Sequence, residues 1–167
     1  MVDFPAPSLC ARVVWCSRNI KSPVVGSPLF GCEAFSDGST LRPNCKWSAR
    51  AGWAVVQINS DGTLGISAFG CLPIFEQDNN AAEIWAVLFW LQHLDPCVRS
   101  AVLYSDSQIA VDGFTDLLLV TRADQEYASI WRSILEAVGE LAGVTLRVAK
   151  VPAHISIEAA AARGPAA

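Results

Sequence analysis

Histidine is scarce in this sequence: only His93 and His154 occur, beside six cysteines. No two of Cys10, Cys16, Cys32, Cys45, Cys71 and Cys97 form a C-x-x-C pair. A structural zinc site, which needs clustered thiol and imidazole ligands, is therefore poorly supported. The loose spacing also speaks against a disulfide-stapled secreted scaffold; reduced thiols packed as small hydrophobes are expected. Charge is sparse as well. Charged residues make up 17% of the chain, and 16 acids against 12 bases leave a net charge of −4. Such a chain does not grip nucleic acid by bulk electrostatics, because phosphate contacts need Lys and Arg. A local basic patch or bound metal cations would have to supply positive charge. No apolar run approaches the roughly 20 residues of a bilayer span, so no membrane partner is expected. Asp3 stands where a signal peptide wants bases, and Arg12, Arg18 and Lys21 interrupt the stretch behind it. The expectation is an intracellular protein, nuclear or cytoplasmic.

What is present is a core. Hydrophobic residues make up 52% of the 167 positions, enough for one folded domain with a modest tail. Residues 1–28, punctuated by Pro5, Pro7, Pro23 and Pro28, read as an arm in which 12–15 fits a strand or a helix equally. The domain proper is expected over 29–157, and an Ala-rich end over 158–167. Leu29 to Asp37, Ala51 to Ile58 and Leu64 to Leu72 read as three strands, the last two joined by the hairpin signal Asn59-Ser60-Asp61-Gly62. Ala81 to Leu94 is apolar and free of Gly and Pro, a helix that Asp95-Pro96 ends. A short buried strand (Ala101 to Tyr104), a short helix (Ser107 to Phe114), a long helix (Asp124 to Leu141) and a final strand (Val144 to Val151) follow. The order β-β-β-α-β-α-α-β predicts an α/β fold: a mixed five-stranded sheet, three strands antiparallel and two reached through helices, with helices on its faces.

Three acids are out of place in this pattern. Glu83 is the one polar residue between Ala81 and Leu91, in a helix apolar nearly all round. A buried carboxylate needs a partner, a cation or neutralisation. An ordinary role is open to it, as third residue of a capping box with Asn80 as N-cap. Asp106 follows an apolar strand and precedes a helix, where Asp serves well as an N-cap. Asp37 ends the first strand, where Asp-Gly is a common turn. Jointly they suggest more. In this topology the first and fourth strands lie parallel and adjacent, and their carboxyl ends meet where sites of open α/β sheets form. Three convergent carboxylates repel one another unless a divalent cation joins them, and hard oxygen ligands favour Mg²⁺ or Mn²⁺.

Four segments then resemble one family. Phe35-Ser36-Asp37-Gly38-Ser39 looks like the first-strand motif of ribonuclease H type 1. Asn79-Asn80-Ala81-Ala82-Glu83 is similar to the opening of its first helix, and Tyr104-Ser105-Asp106-Ser107-Gln108 to its fourth-strand motif. Lys150-Val151-Pro152-Ala153-His154 resembles the segment that carries the family's mobile histidine. The motifs stand in the family's order between Leu29 and Ile157, and their flavour is closest to domains carried by retroelements. The resemblance implies an endonuclease that cuts the RNA strand of RNA–DNA hybrids, using two metal ions about 4 Å apart to bracket the scissile phosphate. Asp37, Glu83 and Asp106 would hold them, with Asp37 shared. Asn79, Asn80 and Gln108 would bind substrate near the minor groove, where 2′-hydroxyls separate RNA from DNA; as ordinary residues they would be solvated polar surface. His154 would shuttle protons or aid product release, its ordinary reading being a surface or satisfied core histidine.

Two departures from the family accompany the likeness. Between Phe114 and Asp124 the only base is Arg122, so the basic protrusion of some members is absent and weak hybrid affinity is expected. The family's fourth carboxylate has no counterpart after His154 except Glu158. A missing last helix, a weak nuclease and an uncovered apolar strip are therefore expected. The alternatives are a decayed fold acting as an interaction module, or a related integrase or resolvase. The Asn-Asn and Ser-Gln neighbours separate the first reading from the last. Oligomeric state is not legible.

Overall fold

The apolar segments assemble into the expected mixed sheet, with one strand more than the pattern predicts. A computed structural model describes residues 14–17, 29–44, 48–59, 61–74 and 76–153. The strands are β1 (Val14–Ser17), β2 (Glu33–Leu41), β3 (Arg50–Ile58), β4 (Leu64–Cys71), β5 (Ser100–Ser105) and β6 (Thr145–Lys150). Their order across the sheet is β1-β4-β3-β2-β5-β6. β2, β3 and β4 form the antiparallel meander; β5 joins β2 in parallel and β6 joins β5 in parallel. The extra strand β1 comes from the arm and pairs antiparallel with the free edge of β4.

Four helices accompany the strands among the described residues: α1 (Asn79–Gln92), α2 (Gln108–Thr115), α3 (Leu117–Val120) and α4 (Ala128–Glu140). The core lies between one face of the sheet and these helices. Period-2 alternation puts Ala34 and Ser36 of β2, Trp53 and Val55 of β3, and Leu103 and Ser105 of β5 on the covered face. α1 packs across β2 and β3 and is itself covered by α4. That sandwiching explains why its sequence is apolar all round: Ile84, Val87 and Trp90 are fully buried. Trp131 of α4 packs against Gly113 of α2, where a Cβ would come within 2.2 Å of the indole ring.

Several boundaries differ from the sequence reading for identifiable reasons. β2 begins at Glu33 rather than Leu29, because Phe30 makes only an isolated bridge to Leu94. It then runs through Asp37-Gly38 to Leu41, so no turn stands there. The helix expected from Asp124 starts at Ala128. Tyr127 precedes it in the left-handed region (φ 58°), and its hydroxyl donates to Asp78 Oδ1 at 3.0 Å. Leu117–Val120 forms a separate helical turn that exposes Leu118 and Leu119. Cys32, Cys71 and Cys97 are free thiols as expected, but they are exposed rather than packed. No described helix is long and apolar enough to cross a membrane.

Candidate metal centre at the end of the parallel strands

The register of two parallel strands sets the first two acids side by side. β2 and β5 pair in step from Glu33↔Val102 to Ser36↔Ser105. Asp37 and Asp106 are each the next residue, so they leave the ladder together about one strand spacing (roughly 5 Å) apart. Glu83 arrives from above, on the second turn of α1. It reaches the sheet over Gly38, whose N–H donates to Glu83 Oε1 at 2.9 Å. A Cβ on Gly38 would stand 2.9 Å from both the Cγ and the main-chain nitrogen of Glu83, so helix and strand approach this closely only because residue 38 is glycine. One carboxylate oxygen from each of Asp37, Glu83 and Asp106 lies within 4.8 Å of the others. The three acids thus converge as the sequence pattern predicts.

The ordinary role open to each acid is taken by another residue. The N-cap of α1 is Asp78, whose Oδ1 accepts from Ala81 N at 2.9 Å, so neither Asn80 nor Glu83 forms a capping box. The N-cap of α2 is Ser107, whose hydroxyl accepts from Ala110 N, so Asp106 is not a cap.

Burial shapes the electrostatics. Glu83 is 2% exposed, and its Oε2 is buried without a hydrogen-bond partner. Loss of hydration pushes its carboxyl up to about 7 from an ordinary 4.5. The Gly38 N–H opposes that rise, the charges on Asp106 and Asp37 add to it, and the Ser105 hydroxyl lowers it slightly. An unpartnered buried oxygen among convergent acids is costly by itself, and a divalent cation would relieve it. Among the described residues the donor set is three carboxylates, hard oxygens of the kind that suit a divalent cation such as Mg²⁺ or Mn²⁺.

Polar residues lie close in sequence to two of these acids. Asn79 and Asn80 are exposed on the first turn of α1, one turn ahead of Glu83. Gln108 opens α2 two residues after Asp106, exposed, with its Nε2 donating to Asp112 Oδ1 at 2.7 Å. The Lys150 ammonium, at the end of β6, donates to the main-chain carbonyl of Asp106. His154 and Glu158 lie outside the described residues, as does any last helix. Sequence reasoning overlooked Gly38 as the seat of Glu83 and gave Lys150 no role. A glycine directly after an acid, inside a strand rather than a turn, was the available signal for the first.

A mixed sheet with acids gathered where the pairing of its parallel strands β2 and β5 ends has ribonuclease H-like architecture. The family model described as RNase H matches residues 31–163, and the chain belongs to that family. No curated protein matches it. Among solved structures, it is similar to a foamy viral protease-reverse transcriptase in complex with dsDNA (TM-score 0.59, 19% identity, 77% of this chain and 86% of that one). It is also similar to the PFV RNase H domain (TM-score 0.56, 19% identity, 81% and 89%). The RNase H1 of the halophilic archaeon Halobacterium salinarum aligns with TM-score 0.52 and 21% identity over 72% of this chain and 85% of its own.

Proposed function

We propose that this chain hydrolyses the RNA strand of RNA–DNA hybrids and that Asp37, Glu83 and Asp106 hold Mg²⁺ or Mn²⁺ for the reaction. The observation that carries the reading is the triad itself: three carboxylates within 4.8 Å, the buried one keeping a free oxygen. Bound cations would neutralise the mutual repulsion of the triad and supply Lewis acidity toward a phosphodiester and its attacking water.

The chain's own groups do the rest. The Gly38 N–H fixes one oxygen of Glu83, leaving the other for the metal. The in-step pairing of β2 with β5, which sets Ser36 opposite Ser105, brings Asp37 and Asp106 out of that ladder together. Asn79, Asn80 and Gln108 are assigned contacts to 2′-hydroxyls, the feature that marks RNA; their exposure and their position on the first turns of α1 and α2 support that role. By the resemblance of its segment to the family, His154 would shuttle protons or aid product release.

The test is cleavage of a labelled hybrid, with RNA duplex, DNA duplex and single strands as controls. Wild type is expected to cut only the RNA of the hybrid, only with Mg²⁺ or Mn²⁺. Asp37→Asn keeps the size but removes the charge, and should lose at least about a hundredfold in rate. Full activity in excess chelator, or an unaffected variant in a clean preparation, refutes the reading.

A further inference from the structure

We propose that Lys150 is a substrate-positioning residue of this centre, its ammonium contacting a backbone phosphate of the nucleic acid strand held at the triad. The inference rests on the nuclease reading and extends it to a residue that reading leaves idle. β5 and β6 run parallel with Ser105 opposite Lys150, so Lys150 leaves the sheet at the same end as Asp106. Its side chain is exposed, and its ammonium donates to the carbonyl of the very residue whose carboxylate joins the triad.

Nothing structural there calls for a charge. The ladder between the two strands is already continued by Val151 N donating to Ser105 O at 2.9 Å. Among the described residues the one ion pair is Arg122 with Asp124, so no described acid pairs with Lys150. An ammonium has three donors, and a single carbonyl leaves two for another acceptor. Several other described cations stand elsewhere, and Arg147 sits inside the ladder opposite Val102. Arg99 lies beside Thr145 at the opposite end of the β5–β6 ladder, and Arg132 bonds the carbonyl of Thr121 beside the α3–α4 turn. Arg50 bonds the carbonyl of Ala49 at the start of β3. In a chain of net charge −4, three clustered acids would repel a polyanion, and a point charge on a flexible stem at their edge is the chemistry that recruits a phosphate.

The experiment compares wild type, Lys150→Gln and Lys150→Arg in steady-state cleavage of an RNA–DNA hybrid across a series of KCl concentrations. The Mg²⁺ midpoint and melting temperature of each are measured in parallel. For Lys150→Gln, KM should rise roughly five- to tenfold at low salt, and the log–log salt slope should fall by about one. Its kcat should stay within about twofold, and its Mg²⁺ midpoint and melting temperature should be unchanged, because a lost phosphate contact weakens uniform binding. Lys150→Arg should keep the wild-type slope. An unchanged slope in Lys150→Gln overturns the proposal. So does a loss confined to kcat and the Mg²⁺ midpoint, which would make Lys150 a brace for Asp106. If wild type cleaves no hybrid, the nuclease reading fails first and takes this assignment with it.

Discussion

Replacing Glu83 with Gln should make the metal-free protein more stable at neutral pH while abolishing its response to Mg²⁺. In the folded chain the Glu83 carboxyl titrates near 7, against 4.5 as an ordinary group. Between those values the folded state holds a proton that the unfolded state has released, so stability falls as pH rises from about 4.5 to 7 and is flat above. At about 1.4 kcal/mol per unit, the ionised carboxylate costs the apo fold at most about 3 kcal/mol at pH 8. In Glu83→Gln the amide oxygen would keep the acceptor for the Gly38 N–H. The amide N–H would stand where Oε2 has no partner, beside the acids of Asp37 and Asp106. The net gain should be about 1–2 kcal/mol, or roughly 2–8 °C in melting temperature for a chain of this size. The assay is urea and thermal unfolding in chelator from pH 4.5 to 8, read as the difference between the two proteins so that other titrations cancel. That difference should open as pH rises. Adding Mg²⁺ should close it by stabilising only wild type, increasingly so toward and above pH 7, where Glu83 ionises readily. A difference that does not vary with pH, or a variant less stable than wild type at pH 8 in chelator, would refute the claim that burial of the Glu83 carboxylate outweighs the hydrogen bonds it accepts.

Other substitutions separate site from scaffold. Gly38→Ala must push Glu83 away from β2; it should cost about 1–3 kcal/mol by urea unfolding and weaken the Mg²⁺ midpoint in the same titration. Gly113→Ala, driven into the Trp131 ring, should cost a similar amount while leaving the Mg²⁺ midpoint per folded molecule unchanged. Asp78→Ala should cost about 1 kcal/mol through the lost α1 cap, measurable by thermal unfolding, whereas Asn80→Ala should cost much less.

Elements whose residues face a single surroundings were legible. The hairpin after Ile58 is read from Asp61-Gly62 because Gly62 takes a positive φ of 78° that few residues accept, and Gly143, at 92°, marks the end of the α4 region for the same reason. α1 is read from its length and its lack of breakers. Features set by distant contacts were not. β1 exists by pairing with the edge of β4, an interaction that leaves no period in a four-residue strand. The start of α4 is fixed by Tyr127, held left-handed while its hydroxyl reaches across to the cap of α1, and nothing local announces a bond spanning that distance. Leu118 and Leu119 look like core by composition yet stand exposed, because α3 is too short to turn more than one face inward.

The triad was legible for a different reason, one the structure sharpens. Each acid, considered alone, has an everyday use: a turn, a helix cap, a capping box. The fold hands the two cap roles to neighbours and makes no turn at Asp37. Asp78 caps α1 one turn ahead of Glu83, Ser107 caps α2 directly after Asp106, and β2 runs straight through Asp37-Gly38 without turning. Apart from the bond that Glu83 Oε1 accepts from the Gly38 N–H, the three carboxylates are left without the local role each position offers, yet they are held together against their own repulsion and one of them is stripped of water. Stability alone would replace them, since amides of the same shape would avoid the cost of the buried charge. An arrangement that lowers the stability of the empty fold, and that a divalent cation would reverse, makes sense when the bound cation is part of the working molecule.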